Sequence, residues 1–377
     1  MIHHTRQLSY KQLLDLIQSV FRPQIGEGDI TLLTDLPSPD HVDDDDWADR
    51  RRICLEWYQM LKEHPADLPF RNTNFFAYAN VGSNNNDLPD VVCPMGTDGI
   101  LERKEVPLRG ILADSGVVIA MTEFSATAPL KLLGKELGFR GATMPGFSRH
   151  MIPALGLEYE KVNDKVVQLK NRMDRVLEIS IVLETSDRKY ETNFDTRFRE
   201  GHASGGLMRE RGVVGNLPSG EAYIVPYEGE REGIASRSTG ILPVQFGREI
   251  VLYEIRQNRA SRVCSSGKKS TEEQEKLIEE PSYGNIAEIG IGVLGQWGVE
   301  ACGSTLLDEK LGLHVAFGRS DHFGGATAPS SFREARNVVH IDRVYVPSVQ
   351  PDIRVRRVTF DYGDTREDII GNDSLLV

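Results

Sequence analysis

The sequence predicts an α/β N-terminal domain followed by a mainly antiparallel β (α+β) C-terminal domain. Three observations carry this. Residues 29–143 alternate short apolar runs with helical periodicity, the strand–helix–strand order of an open α/β layer. Beyond about residue 175 the apolar period changes to two, in short segments punctuated by glycine, as antiparallel strands require. Histidines and carboxylates set in apolar runs collect in that second part. At 377 residues the chain exceeds one small core, so two domains are expected, with a boundary at 165–175 that gives 1–170 and 171–377.

In chain order, residues 9–21 place Leu13, Leu14, Ile17, Val20 and Phe21 on one helical face, with Ser9 as N-cap. Residues 29–34 follow as a short strand of buried type. Asp43, Asp44, Asp45 and Asp46 then precede a helix beginning at Trp47. This run lacks the spacing and terminal glutamate of a calcium loop, and it suits the positive end of a helix. Residues 74–81 and 117–121 read as strands, with a helix over 127–138 and another over 150–169. No G-x-G-x-x-G follows a strand, so the layer carries no dinucleotide fingerprint. Glu123 and Ser125, at a strand end, read as loop polar groups.

In the second part, residues 176–183 and 190–194 form a hairpin, and 222–225, 250–255 and 354–362 are further strands. Residues 265–280 read as a highly charged, solvent-facing helix.

The net charge of -12 provides no field for a polyanion, which argues against nucleic acid. Cys54, Cys93, Cys264 and Cys302 lie far apart, so neither a disulfide framework nor a thiolate cage is expected. No segment has the apolar length of a membrane span and the N-terminus lacks a signal pattern, so a cytoplasmic protein with no membrane partner is expected.

Ligand chemistry concentrates in four places. In Val338-Val339-His340-Ile341-Asp342 a strand points His340 and Asp342 the same way. Glu221 follows a Pro/Gly turn at the entry of an apolar strand. Glu288 lies inside Ile286-Ala287-Glu288-Ile289-Gly290-Ile291-Gly292, where an ionised carboxylate needs a partner; a buried salt bridge is the plain alternative. His314 follows Asp308-Glu309-Lys310. Three carboxylates and two imidazoles form the donor set of two divalent ions sharing a bridging carboxylate and water. Oxygen and imidazole donors suit zinc, cobalt, manganese or iron(II) without selecting one.

The motifs NLPSGE, IAEIGIG, DEK with LHVAFG, and VVHID resemble, in order and approximate spacing, the aminopeptidase T/S family of metallo-aminopeptidases (leucyl aminopeptidase T type). The segments LLDLIQSVF, GEGDITLLTD and GATMPG are similar to that family's first domain. The resemblance implies a homodimer that removes N-terminal residues from peptides, with Glu221, Glu288, His314, His340 and Asp342 as ligands to two metal ions. Glu288 or Glu221 would shuttle the proton.

The family places a tyrosine seven residues after the histidine of the LHVAFG-type motif, where this chain has Asp321, followed by His322. Asp321 is therefore an additional candidate ligand, and His322 a candidate catalytic hydrogen-bond donor. Two alternatives remain. One is a mononuclear iron(II) ring-cleaving dioxygenase of the dihydroxypyridine type, acting on a small molecule. The other is a catalytically repurposed family member.

Overall fold

The computed structural model describes residues 7–377. The chain forms two compact units. One comprises the chain up to Asn163 together with Gly206–Ser219; the other comprises Asp164–Gly205 and Gly220–Val377. The expected division at residue 170 has the chain crossing once. Here the crossing lies inside the Tyr159–Met173 helix, and the chain returns for one short excursion. That excursion has a plain cause. Val214–Asn216 pairs in parallel with Arg140–Thr143 and becomes the edge strand of the first unit's sheet.

The first unit is a seven-stranded sheet whose five strands from Val214–Asn216 through Thr73–Ala79 run parallel, with two short antiparallel strands at the far edge. Its Ser115–Met121 strand is buried throughout, as expected of a strand covered on both faces. The Tyr10–Phe21 helix begins on a capping box in which Ser9 and Gln12 satisfy each other's backbone. The aspartate run starts the Asp45–Glu63 helix, with the Asp44 carboxylate accepting from Trp47 N at 2.8 Å. The expected 150–169 helix is broken. Ile152–Leu155 forms one short turn ending at Gly156, and Tyr159 restarts the helix. Glu123 is ion-paired to Arg50, and Ser125 donates to Asn85, so both serve the loop at the strand end.

The second unit contains two antiparallel sheets, one of eight strands and one of five. Tyr253 of the larger sheet packs its ring 5.2 Å from that of Phe317 in the smaller, and the Tyr345 hydroxyl donates to Pro243 O at 2.8 Å. The Lys268–Glu279 helix is not simply solvent-facing. It buries Ser270, Glu273 and Leu277, and the Glu273 carboxylate accepts from the hydroxyls of Tyr253 and Tyr283. Two phenols reward burial of a charge that composition alone assigns to solvent. Among the described residues, no helix is long and apolar enough to cross a membrane.

Candidate metal centre

The five-stranded sheet runs His340–Tyr345, Leu313–Gly318, Ile286–Gly292, Glu221–Ile224, His202–Ser204. Alternation along each strand divides its faces. Ile289, Ile291, Val315 and Phe317, all fully buried, take one face. The other carries His202 and Tyr223, Glu221, Glu288, His314, His340 and Asp342. Cross-strand register sets these groups beside small residues: Tyr223 opposite Gly290, Gly290 opposite His314, Glu288 opposite Ala316, Ala316 opposite Asp342, and Gly318 opposite His340. Small residues between large polar ones let those side chains converge over the sheet.

Gly290 is a steric necessity there. A β-carbon at that position would lie 1.9 Å from Nε2 of His314, so only glycine lets the imidazole lie across the strand. The apolar run around Glu288 therefore needs its glycines for packing as well as for backbone.

Glu288 is the centre of the cluster. Its Oε1 lies 3.2 Å from His314 Nε2, and its Oε2 lies 3.5 Å from His340 Nε2. His314 Nε2 is also 3.3 Å from Glu221 Oε2, and His340 Nε2 is 3.8 Å from Asp342 Oδ1. Potential ligand atoms of Glu221, Glu288 and His314 all fall within 4.8 Å of one another. Donors arranged tetrahedrally around an ion at roughly 2.0–2.1 Å stand about 3.3 Å apart, so these separations suit a shared cation. His340 has the second-sphere contact such ligands use. Its Nδ1 lies 2.8 Å from the Arg319 carbonyl, and an N–H donated there turns the lone pair of Nε2 towards the carboxylates.

The electrostatics make the same demand. Burial pushes the His314 imidazole down, but Glu288 and Glu221 outweigh it and lift the group to about 9. His340 is likewise lifted to about 10, against burial, by Glu288 and Asp342. Burial would raise Glu288, yet the two imidazoles hold it well below the usual carboxylate range. A centre that retains protons this strongly is short of positive charge. Glu221 Oε2 is moreover a buried acceptor with no hydrogen-bond partner, although burying such a group costs about 1–3 kcal/mol. A divalent cation answers both conditions, and the donor set fits one.

Asp321 has a cationic partner of its own. Its carboxylate lies 2.5 Å from Nε of Arg319, which outweighs burial and holds it below the usual carboxylate range. The arginine two residues before Asp321 is thus its partner. His322 has its ring centroid 5.4 Å from that of His340 and its Nδ1 3.6 Å from Asp321. Burial and the charges of His340 and Arg319 lower it to about 4.

Three groups at the centre escaped the sequence reading. Lys310 is almost fully buried, with Nζ 2.5 Å from Glu221 Oε1 and in contact with Glu309. Glu309 stands behind it. Tyr223 stacks on His202 at 5.0 Å and meets Phe323 edge-on at 4.8 Å. Its phenol is pushed well up by burial and by the charges of Glu288 and Glu221. The signal for Tyr223 was its place two residues after Glu221 on a strand; for Lys310 the sequence holds only a lysine beside acidic residues.

No protein-family profile and no curated protein matches the chain. Two solved structures are similar over 98% of this chain and 98% of their own, each at 12% identity: 2,5-dihydroxypyridine dioxygenase from Pseudomonas putida KT2440, with a TM-score of 0.61, and AmpT from Thermus thermophilus, an aminopeptidase T, with 0.57. The likeness is one of fold. It joins the chain to an architecture that serves two chemistries.

Proposed function

We propose that the chain is a metal-dependent hydrolase, and within that class an aminopeptidase, with two divalent ions held by Glu221, Glu288, His314, His340 and Asp342. The observation that carries this is the division of Glu288: one oxygen lies 3.2 Å from the imidazole of His314, which Glu221 also approaches, and the other 3.5 Å from that of His340, which Asp342 approaches. A carboxylate between two imidazoles in this way would help to hold an ion on either side. Bound ions would supply Lewis-acid polarisation of a carbonyl and a water of lowered pKa.

The chain's own residues supply the rest. Glu288 and Glu221 are the carboxylates within reach of a proton released at the centre. His322, neutral near pH 7 and beside His340, presents a donor to a substrate carbonyl. Tyr223 and Phe323, whose rings meet beside His340, would give a peptide's first side chain an aromatic surface to pack against. The fold shared with an aminopeptidase T supports this reading.

The combination of His314, His340 and Asp342 also favours a second reading, mononuclear iron(II) ring cleavage, and a fold neighbour carries out dioxygenase chemistry. Against it stands the carboxylate of Glu288 between the two imidazoles. One experiment separates them. Metal-free protein is loaded with zinc, cobalt, manganese or, anaerobically, iron(II); bound metal is counted, and aminoacyl anilides and dihydroxypyridines are offered. Two ions per chain with anilide hydrolysis supports the hydrolase. One iron with oxygen uptake on the pyridine rejects it in favour of the second reading.

A further inference from the structure

Lys310 is among the most deeply buried charges of the described residues. Its side chain keeps 2% of its exposure, and its Nζ meets Glu221 Oε1 at 2.5 Å and Glu309 on the other side. The short turn Glu309–Leu311 delivers it just before the strand that carries His314. Gly292 admits that turn: a β-carbon there would lie 2.0 Å from the carbonyl carbon of Lys310. The lysine's position is therefore built by the same glycine-rich strand that carries Glu288.

A carboxylate can grip one cation with both oxygens or serve two cations with one oxygen each. In Glu221 the oxygens are already divided. Oε1 belongs to the ammonium, while Oε2 has no hydrogen-bond partner and lies 3.3 Å from His314 Nε2. We propose that Lys310 is a positioning residue that makes Glu221 a one-oxygen ligand, holding Oε1 so that Oε2 alone faces the metal position beside His314. The ammonium is a tethered cation that never leaves, so the ligand stays aimed before any metal arrives. An arginine would not do this, because its planar fork takes both oxygens of a carboxylate. The inference rests on the metal reading of the centre, not on which reaction follows.

The test uses cobalt(II) as the probe, because its visible ligand-field absorption reports coordination without turnover. Lys310→Met alone would leave Glu309 and Glu221 buried and unpaired, and such a change can unfold a protein. The double variant Glu309→Gln/Lys310→Met removes the ammonium and leaves no carboxyl of Glu309 without its partner; loss of a positive charge would by itself favour a cation, so weaker binding reports the lost aim of Glu221. The expected result is cobalt binding at least tenfold weaker than in the wild type, with an altered visible spectrum, in a protein whose circular dichroism is unchanged. A double variant with the wild-type spectrum and affinity overturns the proposal. A crystal structure of the cobalt-loaded wild-type protein decides the same point without a variant. Glu221 bound through Oε2 with Lys310 on Oε1 supports it, and both oxygens on the metal overturn it. A wild-type protein that takes up no cobalt overturns the metal reading itself, and this inference with it.

Discussion

Gly290 stands directly across from His314, and the imidazole occupies the space where any other residue would carry its β-carbon. The predicted consequence is specific. Gly290→Ala must displace a fully buried ring on a well-packed sheet, at a cost of about 1–3 kcal/mol in stability. It should also weaken metal binding by more than tenfold, because the displaced atom is Nε2. Urea denaturation and metal calorimetry measure the two effects, and an alanine variant with wild-type metal affinity would contradict the placement of His314. Gly110 is the contrasting position. It lies in the Leu108–Asp114 helix with nothing within 4 Å of its added β-carbon, so Gly110→Ala should raise stability by about 0.5–1 kcal/mol.

Glu288 is the group whose loss should be felt on both sides of the centre. Glu288→Ala removes the carboxylate from His314 and His340 together, leaving a buried and a part-exposed imidazole without their common partner. Bound metal, counted by elemental analysis, should fall to less than one ion per chain, with the proposed hydrolase activity lost in proportion. Full activity in a metal-depleted Glu288→Ala protein would exclude a metal-dependent hydrolase.

Much of this architecture is legible in the sequence, for reasons that differ by residue. The Ser9 cap is legible because a capping box needs only local residues three apart. His340 and Asp342 are legible as neighbours because strands alternate with period two, and they do share a face. Glu288 is conspicuous because nothing in its own strand can pair it. The Val214–Asn216 strand is hidden because three residues carry no periodicity, and only its partner Arg140–Thr143 defines it. Asp321 illustrates a different limit. Sequence order suggests a ligand, and what it does not disclose is that Arg319, two residues earlier, pairs with the carboxylate, a reach that depends on how the turn folds. Lys310 is the same case inverted, a residue type that composition assigns to the surface and that only burial next to Glu221 reveals as part of the centre.

The raised imidazoles make the metal-free protein pH-sensitive in a defined direction. An unfolded histidine titrates near 6.5, whereas His314 and His340 titrate at about 9 and about 10 when folded. Their contribution to stability is fully present below about 6.5 and is lost as pH rises through 9–10. Glu288, held low, works oppositely: its contribution is present above about 4.3 and is lost as pH falls through its folded value. The metal-free protein should therefore be most stable between these limits and weaken towards pH 10. Metal must displace the imidazole protons, so zinc affinity should rise with pH between about 6.5 and 9. Calorimetry in buffers of different ionisation enthalpy reads the protons released. Binding that releases none across this range would rule out His314 and His340 as ligands.

The last prediction concerns the helix that composition assigns to solvent. Glu273 lies 1% exposed in its side chain, with the Tyr253 hydroxyl at 2.7 Å, the Tyr283 hydroxyl also donating, and Lys276 at 2.7 Å. Glu273→Ala would strand the Tyr253 hydroxyl, leave the Tyr283 hydroxyl only the bond it accepts from Arg343, and open a cavity beside the Tyr253–Phe317 contact, costing about 2–4 kcal/mol in all. Glu273→Gln keeps the volume and an acceptor, so it should cost less than the alanine. Because Phe317 lies on the strand that carries His314, the alanine should also loosen the metal centre, lowering cobalt affinity several-fold in a protein that is still folded. Denaturation of both variants in urea, with cobalt titration under native conditions, separates these effects. If Glu273→Ala and Glu273→Gln are equally stable, the tyrosine hydroxyls have found other partners and the helix is held by packing alone.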